Sequence, residues 1–141
     1  EQLNVAAVYK TPFTAAVEVG PFGAKFTARG GAVRVALSGA PRNADIAGRA
    51  VASDTSATLA DGETLTLGFA RGGSFSYLAI EGGIAGEPMF GSLAVNARAG
   101  LGSPYPRPLQ AGDQWPTATA ARRATPWPVL CPRYDSQSCP Q

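Results

Sequence analysis

Apolar and polar residues alternate along much of the first 80 positions. Val33, Val35 and Leu37 fall on one side of a period-two pattern, and Ala32, Arg34 and Ala36 on the other. Period two predicts a half-buried strand, because successive side chains of a strand point to opposite faces. Ser38-Gly39-Ala40-Pro41 ends it. Ala15 to Val19 reads as an earlier strand with Glu18 inside it, broken by Gly20-Pro21. Lys25 to Ala28 reads as another, closed by Gly30-Gly31. After the Asp61-Gly62 turn signal, Leu65, Leu67 and Phe69 alternate with Thr64 and Thr66. From Ser74 to Ile80, Phe75, Tyr77 and Ala79 share one face, with Leu78 and Ile80 on the other. Both faces are apolar, which predicts a central strand with Tyr77 packed in the core and its hydroxyl satisfied. Leu65–Phe69 and Phe75–Ile80, joined through Gly72-Gly73, are expected to form a hairpin.

No apolar residues recur at helical spacing for three turns. Short strands at close intervals with glycine-rich turns predict an all-β barrel or sandwich. Beyond Gly100 the character changes. Eight of the 12 prolines lie there, from Pro104 to Pro140, a spacing that disfavours helices and weakens strands. The expected organisation is a barrel over residues 1–115 and a proline-rich linker or packed tail over 116–141. Trp115 is expected to anchor the region by burying its ring, and Trp127 reads as a packing or interface residue.

Composition narrows the partners. In 141 residues, 45% are hydrophobic and only 16% charged, which favours a chain that covers part of its surface with another. The net charge is +2, and the densest basic cluster is Arg122-Arg123, so nucleic acid is not an expected partner. No run of 18 apolar residues is present, so no membrane span is expected, and Glu1 to Asn4 lacks the pattern of a signal peptide. The expected location is the cytoplasm. With no histidine, Ser-His-Asp and Cys-His arrangements within the chain are excluded, and a structural zinc site is not expected. Cys131 and Cys139 are spaced for a local disulfide or are two tail thiols.

An ordered series of motifs runs through the second half. Tyr77-Leu78-Ala79-Ile80-Glu81-Gly82-Gly83-Ile84 is followed by Gly91-Ser92, then Arg98-Ala99-Gly100-Leu101-Gly102. Arg107-Pro108-Leu109-Gln110-Ala111-Gly112-Asp113 ends it. Upstream, Ala15 to Val19, Val33 to Ala40 and Gly48 to Val51 agree in order. Over residues 4–113 the chain resembles the carboxyltransferase subdomain C and D family, also described as allophanate hydrolase subunit 2. That family includes one barrel subunit of ATP-dependent 5-oxoprolinase and the carboxyltransferase part of urea carboxylase.

The resemblance implies a cyclophilin-like β-barrel, of which this sequence supplies most of the first of two related halves. It implies a second barrel subunit as partner and a small amide or lactam as substrate. ATP would be used, partly or wholly on another subunit. Biotin on a separate carrier would serve if the chemistry is carboxyl transfer, since Lys10 and Lys25 are the only lysines and neither follows a methionine. Some relatives act without catalysis, by binding a regulator of a sensor kinase. The chain departs from the family pattern at Ala94 and Val95, where Ser-Thr is usual, and at Ser103 and Pro106, where glycine is usual.

The candidate catalytic residues are Glu18, Ser92 and Arg98, with Gly82, Gly83 and Gly91 as candidate substrate-binding positions. Gly82-Gly83 is either a loop that brings a ligand to backbone N–H groups or a tight barrel corner. Arg98 either grips a carboxylate or phosphate bidentately, or caps loop carbonyls or pairs with Asp113. Glu18 either lines the barrel mouth as a base or substrate ligand, or faces outward. Gly112-Asp113 reads as a structural turn.

Overall fold

A computed structural model describes residues 15–117 and 129–133. Ten strands follow in chain order among the described residues: β1 Val17–Val19, β2 Ala24–Arg29, β3 Val33–Gly39, β4 Arg42–Ile46, β5 Arg49–Ala50, β6 Ser56–Leu59, β7 Thr64–Ala70, β8 Ser76–Ile80, β9 Trp115–Pro116 and β10 Val129–Arg133. No helix is present among these residues. One sheet has the order β1-β8-β3-β6 and the other β5-β4-β7-β2-β10-β9, with antiparallel pairing throughout. The all-β class expected from the period-two pattern is the class observed. β10 comes from the proline-rich region and lies between β2 and β9.

The inward positions of both sheets meet in one core. Val17 and Val19, Phe26, Val33, Val35 and Leu37, Ile46, Leu65 and Leu67, and Leu78 and Ile80 are all buried there. Each such side chain contributes about 1.5–3 kcal/mol by leaving water. Trp115, 1% exposed, closes the core edge-on to Phe26, with ring centroids 6.4 Å apart. It is buried as the sequence predicts. Its indole N–H has no hydrogen-bond partner among the described residues.

Three readings are corrected. β7 and β8 do not form a hairpin. β7 pairs with β4 and β2 in one sheet, while β8 pairs with β1 and β3 in the other. The Gly72-Gly73 segment therefore crosses between sheets. β8 is central within its sheet, as two apolar faces predict. Second, Tyr77 is not a core residue. It is 43% exposed, on the outer side of β8 beside Glu18 of β1. Third, Phe69 leaves the alternation that buries Leu65 and Leu67 and is 70% exposed. The cause is a register irregularity: Arg42 pairs with Ala70 but Ala44 with Leu67, so β7 carries an extra residue there. One extra residue sends the following side chain to the opposite face.

Beside that bulge sits Arg42, 6% exposed and with no carboxylate partner. Its Nε donates to Ser76 Oγ at 2.9 Å, and Ser76 donates on to the Ala40 carbonyl at 2.8 Å. One terminal nitrogen donates to the Phe22 and Gly68 carbonyls, both at 3.2 Å. The other donates to the Val19 and Gly20 carbonyls at 3.3 and 2.8 Å. All five guanidinium protons are thus used, as a buried charge requires. Burial lowers its pKa, but the group stays a cation. Arg42 ties the β1–β2 loop to both sheets at one end of the barrel.

Candidate functional site

The motif series that carries the family resemblance leaves the barrel after β8. Ile84 bridges to Thr117, and the Ala85 amide donates to the Pro116 carbonyl at 3.0 Å. Between these points the chain makes an excursion over residues 86–114, called the arm below.

Two tight hairpins shape the arm. In the first, Met89 and Ser92 exchange backbone hydrogen bonds of 2.8 and 3.0 Å. The turn residues Phe90 and Gly91 have φ values of 51° and 77°. Positive φ at both central positions is the type I′ geometry, which Gly91 adopts freely and Phe90 does not. Ser92 Oγ accepts from the Ala94 amide at 3.0 Å. In the second, Asn96 and Leu101 exchange bonds of 2.8 and 3.1 Å, and Asn96 Oδ1 accepts from the Ala99 amide at 3.3 Å. Arg98 sits in this turn, exposed and with no hydrogen-bond or ion-pair partner among the described residues. The two legs of this second hairpin run so close that a Cβ on Gly102 would lie 2.7 Å from the Val95 Cα.

A polar knot holds the arm's return leg. Arg107 donates to both oxygens of Asp113, at 2.7 and 2.9 Å, and stacks on the Tyr105 ring 4.8 Å from its centroid. The other donor to Asp113 is the Gln110 amide, at 2.8 Å. The Arg107 hydrogen bonds hold the Asp113 carboxyl below the usual range, against an opposing push from burial. The Tyr105 hydroxyl donates to the Gln114 carbonyl at 2.7 Å and accepts from its amide at 3.1 Å. Asp113 is therefore taken by Arg107, and the alternative pairing of Arg98 with Asp113 is not made. Gly112-Asp113 marks a turn in the sequence, as expected. Its partner, the Arg six residues earlier, is not evident from sequence, because Arg98 is equally available by composition.

The other candidates lie apart in the hydrogen-bond pattern. Gly83 is buried, and its amide already donates to the Ile80 carbonyl at 2.8 Å, while Gly82 is exposed beside it. Glu18 is exposed on the outer face of β1, where the Tyr77 hydroxyl donates to its Oε2 at 3.2 Å. That bond and the carboxylate's charge raise the Tyr77 pKa. Among the described residues Ser92 and Gly91 share the Arg98 arm, and no contact joins Glu18 to them. No group of three or more His, Cys, Asp or Glu is placed to hold a metal among the described residues. Nor is any helix there long and apolar enough to cross a membrane. Trp127, Lys10 and the Cys131–Cys139 pairing lie outside the described residues or side chains.

Residues 2–140 match the family model for the carboxyltransferase domain, subdomain A and B. The resemblance read from the sequence is to subdomains C and D. What holds is the carboxyltransferase domain, and the subdomain that matches is A and B. The fold is similar to that of the K. lactis urea amidolyase, with a TM-score of 0.74 at 23% identity, over 90% of this chain and 8% of that one. It is similar likewise to the Kluyveromyces lactis urea carboxylase, with a TM-score of 0.74 at 23% identity, over 90% of this chain and 11% of that one. TTHA0988 aligns with a TM-score of 0.64 at 27% identity, over 87% of this chain and 43% of its own. The chain thus spans less than half of each of these relatives. A comparison with curated proteins finds no match.

Proposed function

The chain belongs to the carboxyltransferase-domain family of subdomains A and B, and from that premise we propose that it is a subunit of an ATP-dependent 5-oxoprolinase-type amide hydrolase. It works in the cytoplasm with a second barrel subunit. The observation that carries this reading is Arg98. Among the described residues no partner takes up its five donors, and it stands in the turn of the hairpin that follows Gly91-Ser92 in the arm. An unpaired guanidinium in a fixed turn suits a substrate carboxylate, which it can grip in two parallel hydrogen bonds. The substrate 5-oxoproline carries one such carboxylate and a lactam amide.

ATP supplies activation of the unreactive amide carbonyl before water opens the ring. The nucleotide is held partly or wholly on another subunit. This chain's share is positioning and charge stabilisation. Arg98 orients the carboxylate, and Ser92, whose Oγ accepts from Ala94, keeps its own proton free to donate to a substrate oxygen. Gly91 keeps the turn tight, and the exposed Gly82 amide with the Gly83 corner borders the start of the arm. Glu18, tied to Tyr77 on the barrel wall, takes part only if the partner's surface is brought against that face.

A second reading has its own support. The fold neighbours are urea carboxylase and urea amidolyase. Under this reading the chain is a half-domain that receives a carboxyl group from biotin on a separate carrier and passes it to urea or a similar amide. A third, noncatalytic partner-binding role draws on Ala94 and Val95, which lack the hydroxyls usual in the family.

The test is reconstitution with the second barrel subunit, followed by glutamate release from 5-oxoproline with ATP. Activity is expected, and Arg98→Ala should lower kcat/KM roughly tenfold to a hundredfold, the value of a charge-assisted hydrogen-bond pair. A complex that transfers carboxyl from biotin but releases no glutamate establishes the second reading. A complex that does neither leaves the noncatalytic one.

A further inference from the structure

The arm is apolar where burial would be expected, yet it is open to water. Residues 86–100 are all exposed except Leu93, although the run includes Pro88, Met89, Phe90, Ala94 and Val95. Phe90 is the extreme case, 94% exposed. Its φ of 51° lies in the left-handed region, which a bulky side chain enters only at a cost. Asparagine or glycine would relax that turn and shed an apolar surface on the order of 200 Å². Phe90 therefore packs on nothing substantial among the described residues. Met89 and Val95 are exposed large apolar residues on the same arm.

The charges on the arm point to the occupant. Apart from the internally paired Arg107 and Asp113, residues 86–114 carry only Glu87 and Arg98. The two have opposite signs, and neither has an ion-pair partner among the described residues. A surface with an apolar centre and one unpaired charge of each sign is complementary to itself across a two-fold axis. The overall net charge of +2 sets little repulsion between copies.

We propose that two copies of this chain associate arm to arm, with Phe90 as the central anchor and Glu87 of each copy paired with Arg98 of the other. Anchors of this kind, aromatic and centrally placed, dominate interface energetics. The rest of the run supplies the rim that an interface of about 800 Å² per partner requires. Glu87 of the second copy and a substrate carboxylate are alternatives for Arg98, so self-association would compete with substrate. The test needs no catalysis, and its outcome is separable from that of the proposed reaction.

Sedimentation of the full chain from micromolar to millimolar concentration should show a monomer–dimer equilibrium. Phe90→Asn should weaken it at least about tenfold, while the dilute monomer unfolds at the same temperature or higher. A purely structural Phe90 would give the opposite sign in unfolding. Glu87→Arg and Arg98→Glu should each weaken the dimer, and an equimolar mixture of those two variants should restore it, because both cross-pairs are then opposite in charge. The proposal is overturned by a chain that stays monomeric, including one whose Phe90 binds a second barrel subunit instead. It is equally overturned by association indifferent to Phe90→Asn, or by a mixture of the charge variants that stays dissociated.

Discussion

The barrel and the arm both carry large apolar residues and use them in opposite ways. In the barrel, valine, leucine and isoleucine at alternate positions turn inward, and the two sheets cover them. In the arm, Met89, Phe90 and Val95 stay in water, because hairpins of two and four turn residues have no second layer to lean on. What holds the arm is largely polar, the Arg107–Asp113 pair, the Tyr105–Gln114 bonds and the two backbone exchanges, helped by the buried Leu93 and by Leu109 against the core. A core held by burial tolerates loss of one surface bond. A loop held by hydrogen bonds and tight turns does not, but it keeps its apolar tips free for other molecules.

The sharpest way to break this contrast is inside the barrel. Arg42→Ala strips the donors from four backbone carbonyls and from Ser76, and the bonds to Val19 and Ser76 lie in the buried interior. Denaturant unfolding should show a loss of about 3–5 kcal/mol, because each buried acceptor left without its donor costs about 1–3 kcal/mol.

A smaller effect is expected in the arm. Asp113→Asn should lower the thermal midpoint by a few degrees at neutral pH, by removing the carboxylate that Arg107 and the Gln110 amide share. The Asp113 carboxyl is lowered in the folded chain from the ordinary 3.8. Its contribution is therefore complete above that unfolded value, declines as the pH falls below it, and is gone below the folded value. Thermal melts across the acid range should show the difference between wild type and variant closing in that direction. A difference that grew in acid would contradict the pair's role.

The smallest effect separates packing from polarity in the core. Trp115→Phe keeps most of the ring and removes an indole N–H that has no acceptor. A neutral group without its hydrogen bond is costly to bury, so the loss of ring volume is partly offset. The expected change is within about 1 kcal/mol, read by chemical denaturation. A loss of several kcal/mol would mean that the N–H is satisfied.

Legibility in the sequence follows the same division. The strands with strict alternation, β3 foremost, are readable because one buried face imposes period two. The β7–β8 pairing is not, because Gly72-Gly73 is as suitable for crossing between sheets as for a hairpin, and the choice is made by which partners lie nearby. Phe69 escapes prediction because a bulge shifts register without a local signature beyond Gly68. Arg42 gives no signal at all: its acceptors are backbone carbonyls, and those carry no residue identity. In the arm, Gly91-Ser92 and Arg98 stand out through their motif series. The exposure of Phe90 is invisible in the sequence, because a phenylalanine is presumed buried.

Arg42 also bears on the order of events when the chain folds. Its acceptors lie between 20 and 34 residues away along the chain, on loops and strands of both sheets. The full set is complete only when β1, the β1–β2 loop, β4, β7 and β8 are together, so the guanidinium joins parts of both sheets. Interactions made after the transition state govern the rate of escape from the native state more than the rate of arrival. Arg42 is thus expected to act as a latch, with Arg42→Ala speeding unfolding more than it slows folding.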